Sequence, residues 1–328
     1  MSADFSPFGL AVGHATDEAG ATGLTVVRGI DAPFRAAAAV LGRATGTREL
    51  DALSPHHLVE RVDAIVLTGG SAYGLAAAAG VMRWMEERGR GFAVNGGVVP
   101  IVPAAVIFDL APLGAFGARP TATMAYEACE RARPAPIAEG SVGVGTGATV
   151  GKGLGPERAM KGGVGCWVEH AGALAVGALV VVNALGDVRD AAGRVIAGAR
   201  AEDGSFVDVE RAIARGDVVR RRGEEQAMRN TTLAAVATNA LLSRLELTQL
   251  ARAASAAFAR RITPVGTSFD GDVVFAVCPM QGDPATGMQV EALATGALEA
   301  AIERAVRLAR GRDGIPGLAD GGAEAGSA

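Results

Sequence analysis

Apolar residues fall along this chain in two kinds of run. Short, nearly unbroken runs at 24–28, 63–67, 232–237 and 273–278 predict buried strands. Weaker strand signals lie at 92–94 and 105–108. Two apolar runs, 164–170 and 173–182, flank Ala171-Gly172 and predict a hairpin. Longer stretches predict helices over 72–88, which is rich in alanine, 122–133, 245–260, which is amphipathic, and 288–310. The first carries Arg83, Glu86, Glu87 and Arg88 in its last turns, and the second is stopped by Pro134. The pair His56-His57 after Pro55 marks an expected helix start. Between 186 and 229 the chain turns polar and charged, with Arg220-Arg221-Arg222 and Glu224-Glu225, as expected of surface. Residues 311–328 are rich in Gly, Ala and Asp and are expected to form a flexible tail after a single domain over 1–310. Strands and helices cluster instead of alternating strictly, so the expected class is α+β in layers and not a doubly wound sheet.

Composition removes several function classes. Of 328 residues, 49% are hydrophobic, which excludes a disordered chain. Glycine supplies 46 residues, twice the usual ~7%, without a G-X-Y period. Three scattered cysteines, Cys129, Cys166 and Cys278, make neither a disulfide framework nor a CxxC metal site. A net charge of −4 gives no electrostatic reason to expect nucleic acid. The uncharged stretch 64–82 is long enough to raise the question of a membrane span, but Gly69-Gly70-Ser71 divides it into strand, turn and helix. With no secretory signal read at the start and no paired cysteines, the expected location is the cytoplasm, without membrane association.

The familiar catalytic motifs fail one by one. Gly143-Val144-Gly145-Thr146-Gly147 resembles a nucleotide loop, but GxGxxG needs glycine where Ala148 stands. A Walker loop ending at Gly151-Lys152 needs glycine at Thr146 and a hydroxyl at Gly153. Gly69-Gly70-Ser71-Ala72-Tyr73 misses the nucleophile elbow at its last position. His14, His56, His57 and His170 form no metal-binding pattern, and neither a metal nor another cofactor is expected. Two features remain. Asn230-Thr231-Thr232 stands between the charged segment and an apolar strand, and Asp270-Gly271-Asp272 precedes another. Each alone reads as a turn. Together they permit a chemistry that needs no histidine. A threonine hydroxyl requires an adjacent base. Cutting the chain before Thr231 would supply one, an α-amino group with an ordinary pKa of roughly 7.7–8.0. Two carboxylates two residues apart can orient that ammonium and hydroxyl.

The runs 230–239 and 270–277 resemble the DmpA/BapA-type aminopeptidase family, which includes the 6-aminohexanoate-oligomer (nylon) hydrolases. The likeness continues through Val12-Gly13-His14, Thr22-Gly23-Leu24-Thr25-Val26, residues 67–75, Ala105-Val106-Ile107-Phe108-Asp109, Val150-Gly151-Lys152 and Val181-Val182-Asn183. It spans roughly residues 9–310. The resemblance implies an αββα four-layer sandwich of the N-terminal-nucleophile-like (DmpA/ornithine acetyltransferase) type. It also implies self-cleavage between Asn230 and Thr231 into a large subunit, 1–230, and a small one, 231–328. By position, Thr231 is the implied nucleophile, oriented by Asp270 and Asp272. Lys152 assists near the amine, and the Asn183 side-chain amide donates to the oxyanion. The implied substrates are small peptides, amino-acid amides or ω-amino-acid oligomers, and the implied assembly is a homo-oligomer, a tetramer of cleaved heterodimers. Many members carry tyrosine where this chain has Phe108. That departure keeps open an uncleaved, catalytically weak member acting as a binding or scaffold protein. A nucleotide-binding protein using the glycine segment is the third possibility.

Overall fold

Where both faces of a strand are covered, no polar side needs to be written into the sequence, and the strand reads as a continuous apolar run. That is how most of this fold is encoded. The computed structural model describes residues 3–217 and 230–321. In chain order its main strands are β1 (Leu10–Asp17), β2 (Thr22–Gly29), β3 (Phe34–Val40), β4 (Thr47–Arg48), β5 (Arg61–Val62), β6 (Ala64–Thr68), β7 (Ala104–Val106), β8 (Gly163–Ala171), β9 (Leu174–Asn183), β10 (Thr231–Thr238) and β11 (Val273–Pro279). The helices are α1 (Ala78–Glu86), α2 (Ala122–Arg131), α3 (Val209–Arg215), α4 (Arg244–Ala254), α5 (Ala256–Arg261) and α6 (Gly287–Arg307). The strands form a five-stranded sheet in the order β1-β2-β6-β7-β4 and a six-stranded sheet in the order β8-β9-β10-β11-β3-β5. In the second sheet β10 runs antiparallel to β9 and parallel to β11.

The period of two along each strand sorts side chains into separate cores. In β6, Val66 packs with Val81, Trp84 and Met85 of α1 and Ala125 and Ala128 of α2. Its neighbours Ile65 and Leu67 join a second cluster that also holds Leu179, Leu233, Ala235, Phe275 and Val277 of the six-stranded sheet. The alternate residues Ala234, Val236, Val274 and Ala276 face a third cluster, with Leu247, Leu250, Val290, Leu298 and Ile302 of α4 and α6. The α+β class expected from clustered elements holds.

Several local expectations change. The helix expected over 72–88 begins as a 3-10 stretch, Ser71–Ala77, before α1. A Cβ on Gly74 would lie 1.9 Å from the Gly69 carbonyl oxygen, so that turn winds too tightly for a side chain. The helix expected over 245–260 is two helices meeting at Ser255. His56-His57 starts no helix; the residues lie in a turn. The segment expected as surface from 186 onward is partly core. Asp187, Val188, Ala197 and Val209 are buried, and Asp187–Arg189 pairs with Val195–Ala197 and Ile262–Thr263. The charged runs at 220–222 and 224–225 lie outside the described residues. Residues 311–321, expected in a flexible tail, turn back onto the body. The Gly311 amide donates to the Asp320 carboxylate, Lys161 N–H donates to the Pro316 carbonyl at 2.9 Å, and Leu318 packs on the core. Among the described residues no helix is long and apolar enough to cross a membrane.

Candidate active site

The side-by-side pairing of β9, β10 and β11 brings three strand ends together. Thr231 opens β10 and is the register partner of Asn183, the last residue of β9. Asn230 forms a parallel bridge with Asp270, immediately ahead of β11. Counting in twos, Thr231 lies on the face of Leu233 and Ala235, and Asn183 on the face of Leu179 and Val181. Both therefore point towards the five-stranded sheet.

The peptide before Thr231 is held from two sides. The Thr231 hydroxyl donates to the Asn230 carbonyl oxygen at 2.6 Å, and the Gly271 amide donates to the same oxygen at 2.8 Å. A Cβ on Gly271 would stand 2.8 Å from Thr231 Oγ1 and 2.6 Å from the Ala44 carbonyl oxygen. Only glycine lets this amide approach so closely. Its signal in the sequence is its place between two aspartates, where the carboxylates alone carry an evident chemistry. Asn230 and Thr231 are both buried, and the Asn230 side-chain amide has no hydrogen-bond partner among the described residues.

The two aspartates are held differently. Asp272 Oδ1 accepts from the Thr232 amide at 2.6 Å, one residue past the threonine, while Asp270 Oδ2 accepts from the Thr267 amide at 2.6 Å. Burial, and then the neighbouring Asp270 charge, push the Asp272 carboxyl up to about 8. Asp270 is raised by burial, and the Lys152 charge partly opposes the rise. Burial also lowers the Lys152 ammonium to about 7, against the pull of Asp270. Lys152 Nζ donates to Asn183 Oδ1 at 2.7 Å and to the Asn183 carbonyl at 3.1 Å. Asn183 Oδ1 accepts from the Thr149 amide too, and Asn183 Nδ2 donates to the Phe108 carbonyl at 3.1 Å. Thus Thr231, Asn183, Lys152, Asp270 and Asp272 are brought into one buried network. The residue at 108 enters it through its backbone.

One element further out, the first sheet closes the same region. Asp109 is buried and accepts from the Gly70 amide and the Thr22 hydroxyl, each at 2.6 Å; burial raises its carboxyl to about 6. The glycine segment that resembled a phosphate loop is packed solid. A Cβ on Gly143 would lie 2.6 Å from His14 Nδ1. No cluster of three or more metal-ligating side chains occurs among the described residues.

Peptidase family S58 matches residues 8–311. The chain belongs to Peptidase family S58, the DmpA/BapA family. An S58 hydrolase acts on amide or peptide bonds, and the relatives agree. An uncharacterized aminopeptidase of Mycobacterium leprae is 41% identical over 297 residues, 84% of this chain and 80% of that one. A 6-aminohexanoate-oligomer endohydrolase of Agromyces sp. is 33% identical over 316 residues, 90% of this chain and 81% of that one. Among solved structures, a Burkholderia sp. β-aminopeptidase superposes with a TM-score of 0.67 at 22% identity, covering 94% of this chain and 88% of that one. The L-aminopeptidase D-Ala-esterase/amidase of Ochrobactrum anthropi gives 0.68 at 19% identity, covering 96% and 90%, and is described as a variant of the Ntn hydrolase fold. These two structural likenesses show the fold.

Proposed function

We propose that this S58 chain cuts itself between Asn230 and Thr231 and then hydrolyses small amides through an acyl-enzyme on Thr231. The observation that carries the reading is the Asn230 carbonyl, touched at 2.6 Å by the hydroxyl that must attack it and at 2.8 Å by the Gly271 amide. In the first step Thr231 Oγ1 bonds to the Asn230 carbonyl carbon, the C–N bond breaks, and the hydroxyl proton passes to the departing nitrogen. Water then hydrolyses the ester, leaving Asn230 with a carboxylate and Thr231 with a free α-amino group. The Gly271 N–H donates to the oxygen on which negative charge develops, the placement that makes such donors effective.

In turnover the α-amino group takes the Thr231 hydroxyl proton as Oγ1 attacks the substrate carbonyl. It returns that proton to the leaving amine and then activates the water that frees the enzyme. Lys152, near neutrality in its buried site, and the Asp270–Asp272 pair set the charge around the new ammonium. Asn183 Nδ2 has a second hydrogen beyond the one given to Phe108, available to the substrate oxyanion. The layering proposed for the fold is αββα, supported by the separate clusters on each side of the two sheets. Substrates are short peptides, amino-acid amides or ω-amino-acid oligomers, and the cleaved chains assemble into homo-oligomers. The scaffold alternative leaned on Phe108. Its support weakens because the contact to Asn183 comes from the main chain, which any side chain at 108 would leave in place. Intact-mass measurement of purified protein decides the reading: two pieces, 1–230 and 231–328, for the wild type and one for Thr231→Ala. An active wild-type chain of full mass would overturn it.

A further inference from the structure

Against the turn at Gly70 stands a cation that has no ion-pair partner among the described residues. Arg119 places its guanidinium 3.5 Å from the centre of the Tyr73 ring and 5.4 Å from that of Phe116. The two rings meet edge to face at 6.4 Å. Arg119 Nη2 reaches the Phe116 carbonyl at a long 3.4 Å, and its Nε is buried without a partner. Among the described residues no carboxylate lies within ion-pair distance of it, as is also true of Arg43, Arg158 and Arg252; what sets Arg119 apart is that its guanidinium is stacked on two exposed rings. Tyr73 and Phe116 nevertheless remain 54% and 62% exposed, an unusual amount of aromatic surface for a chain that is 4% aromatic.

The cluster is tied to the proposed site through few bonds. Tyr73 follows the turn Gly70-Ser71, whose φ angles of 79° and 52° are both left-handed. A left-handed serine is costly, and it persists where surrounding contacts fix it. The Gly70 amide is bound by Asp109, the neighbour of Phe108, and the Phe108 carbonyl is bound by Asn183. A Cβ on Gly70 would lie 3.0 Å from Pro120 Cδ and 3.5 Å from Arg119 Cβ, so the base of the arginine side chain packs against this turn. Asp109 spends both carboxylate oxygens, on Gly70 and Thr22.

We propose that Arg119, braced by Tyr73 and Phe116, is the subsite for the free carboxylate at the far end of the substrate, on the leaving-amine side. The inference rests on the amide-hydrolase reading above and narrows its substrate class to acids, as against amides or esters. The stacked guanidinium keeps N–H groups free for a charge-assisted, two-pronged contact with a carboxylate. The rings cover the methylenes that lead to it. A peptide or an ω-amino-acid oligomer has such a carboxylate, whereas an amino-acid amide has none.

The test pairs a short peptide acid with its C-terminal amide and measures the ratio of their kcat/KM values. The wild type is expected to favour the acid. Arg119→Gln is expected to lower the ratio about tenfold or more, mostly through KM, as for loss of one hydrogen-bonded charge, with Arg119→Lys in between. Calorimetric titration of wild type and Arg119→Gln with the leaving product acid and its amide reads the same contrast without turnover. A chain that hydrolysed nothing would therefore defeat the parent reading and still answer this one. An unchanged ratio and unchanged product binding overturn the subsite, and so does a variant whose only change is its oligomeric mass, which would make the cluster a contact between copies.

Discussion

Lys152 and Lys161 lie nine positions apart in the sequence, and burial brings both ammonium groups down to about 7. Titration alone cannot tell them apart; their partners can. Lys161 Nζ donates to three backbone carbonyls, those of Gly145, Thr146 and Ala148, at 3.2, 2.7 and 2.7 Å. It fastens one glycine-rich turn and touches nothing reactive. Lys152 donates to Asn183, feels the charge of Asp270, and stands in the network around Thr231. A perturbed pKa marks a site only where the group also faces one. The proposed mechanism therefore gives Lys161 to the fold and Lys152 to the chemistry.

The most forceful way to break that assignment is to stop the chemistry. Thr231→Ala is expected to stay one chain and to lose at least ~10⁴-fold in amide hydrolysis, since nucleophile and base vanish together. Mass and steady-state rates check both. Next comes Lys152→Met, expected to cut turnover by roughly 10²–10³-fold while the thermal midpoint moves little. Lys161→Met should reverse the pattern. Losing the three ammonium hydrogen bonds should cost about 1–3 kcal/mol in urea unfolding, most of it at the Thr146 carbonyl, because the Gly145 and Ala148 carbonyls keep the Ala148 and Gly162 amides; the rate per folded molecule should stay within roughly threefold of wild type. If Lys161→Met kills turnover in fully folded protein, the distinction between the lysines is wrong.

A smaller effect separates them by pH. A lysine whose folded value lies below its ordinary 10.5 binds fewer protons folded than unfolded, so its contribution to stability falls as pH drops from 10.5 towards about 7. Asp272 works the opposite way, losing stability as pH rises from 3.8 to about 8, and it is spent above that. In the undivided Thr231→Ala chain, unfolding free energy should therefore rise between pH 8 and 10.5. Removing either lysine should flatten the rise. Smallest of all is Phe108→Tyr, expected to raise kcat/KM by no more than a few-fold, because the backbone carbonyl at 108 already holds Asn183.

Legibility in the sequence followed residue type. The run behind β11 is plain because Val273, Val274, Phe275 and Val277 fill both faces, and the run behind β10 because Thr232, Leu233 and Val236 stand among its alanines. Strand β3, Phe34–Val40, went unread because four consecutive alanines carry little strand preference, although they lie in the sheet interior against α4. The Thr231 and Asp270–Asp272 pairing was visible through what each type can do and through resemblance. Asn183 and Lys152 came by resemblance alone, since an asparagine at a strand end and a lysine after a glycine look ordinary. Gly271 was missed because its contribution is an N–H, which every residue but proline has. What selects glycine there is the room needed beside Thr231 Oγ1, visible only in three dimensions.

The order of strands in the second sheet has a bearing on the life of the protein after a cut. A break before Thr231 would put β10 and β11 in one piece and their sheet neighbours β9 and β3 in the other. The smaller piece would be clasped on both sides by the larger. Neither could be formed by docking two finished parts; the whole would have to be knitted first and severed afterwards. Unfolded by heat or urea, such a molecule could reassemble only by two chains meeting, at a rate set by concentration. Its persistence would then depend on how slowly it comes apart, because the single-chain route by which it was made would be closed behind it.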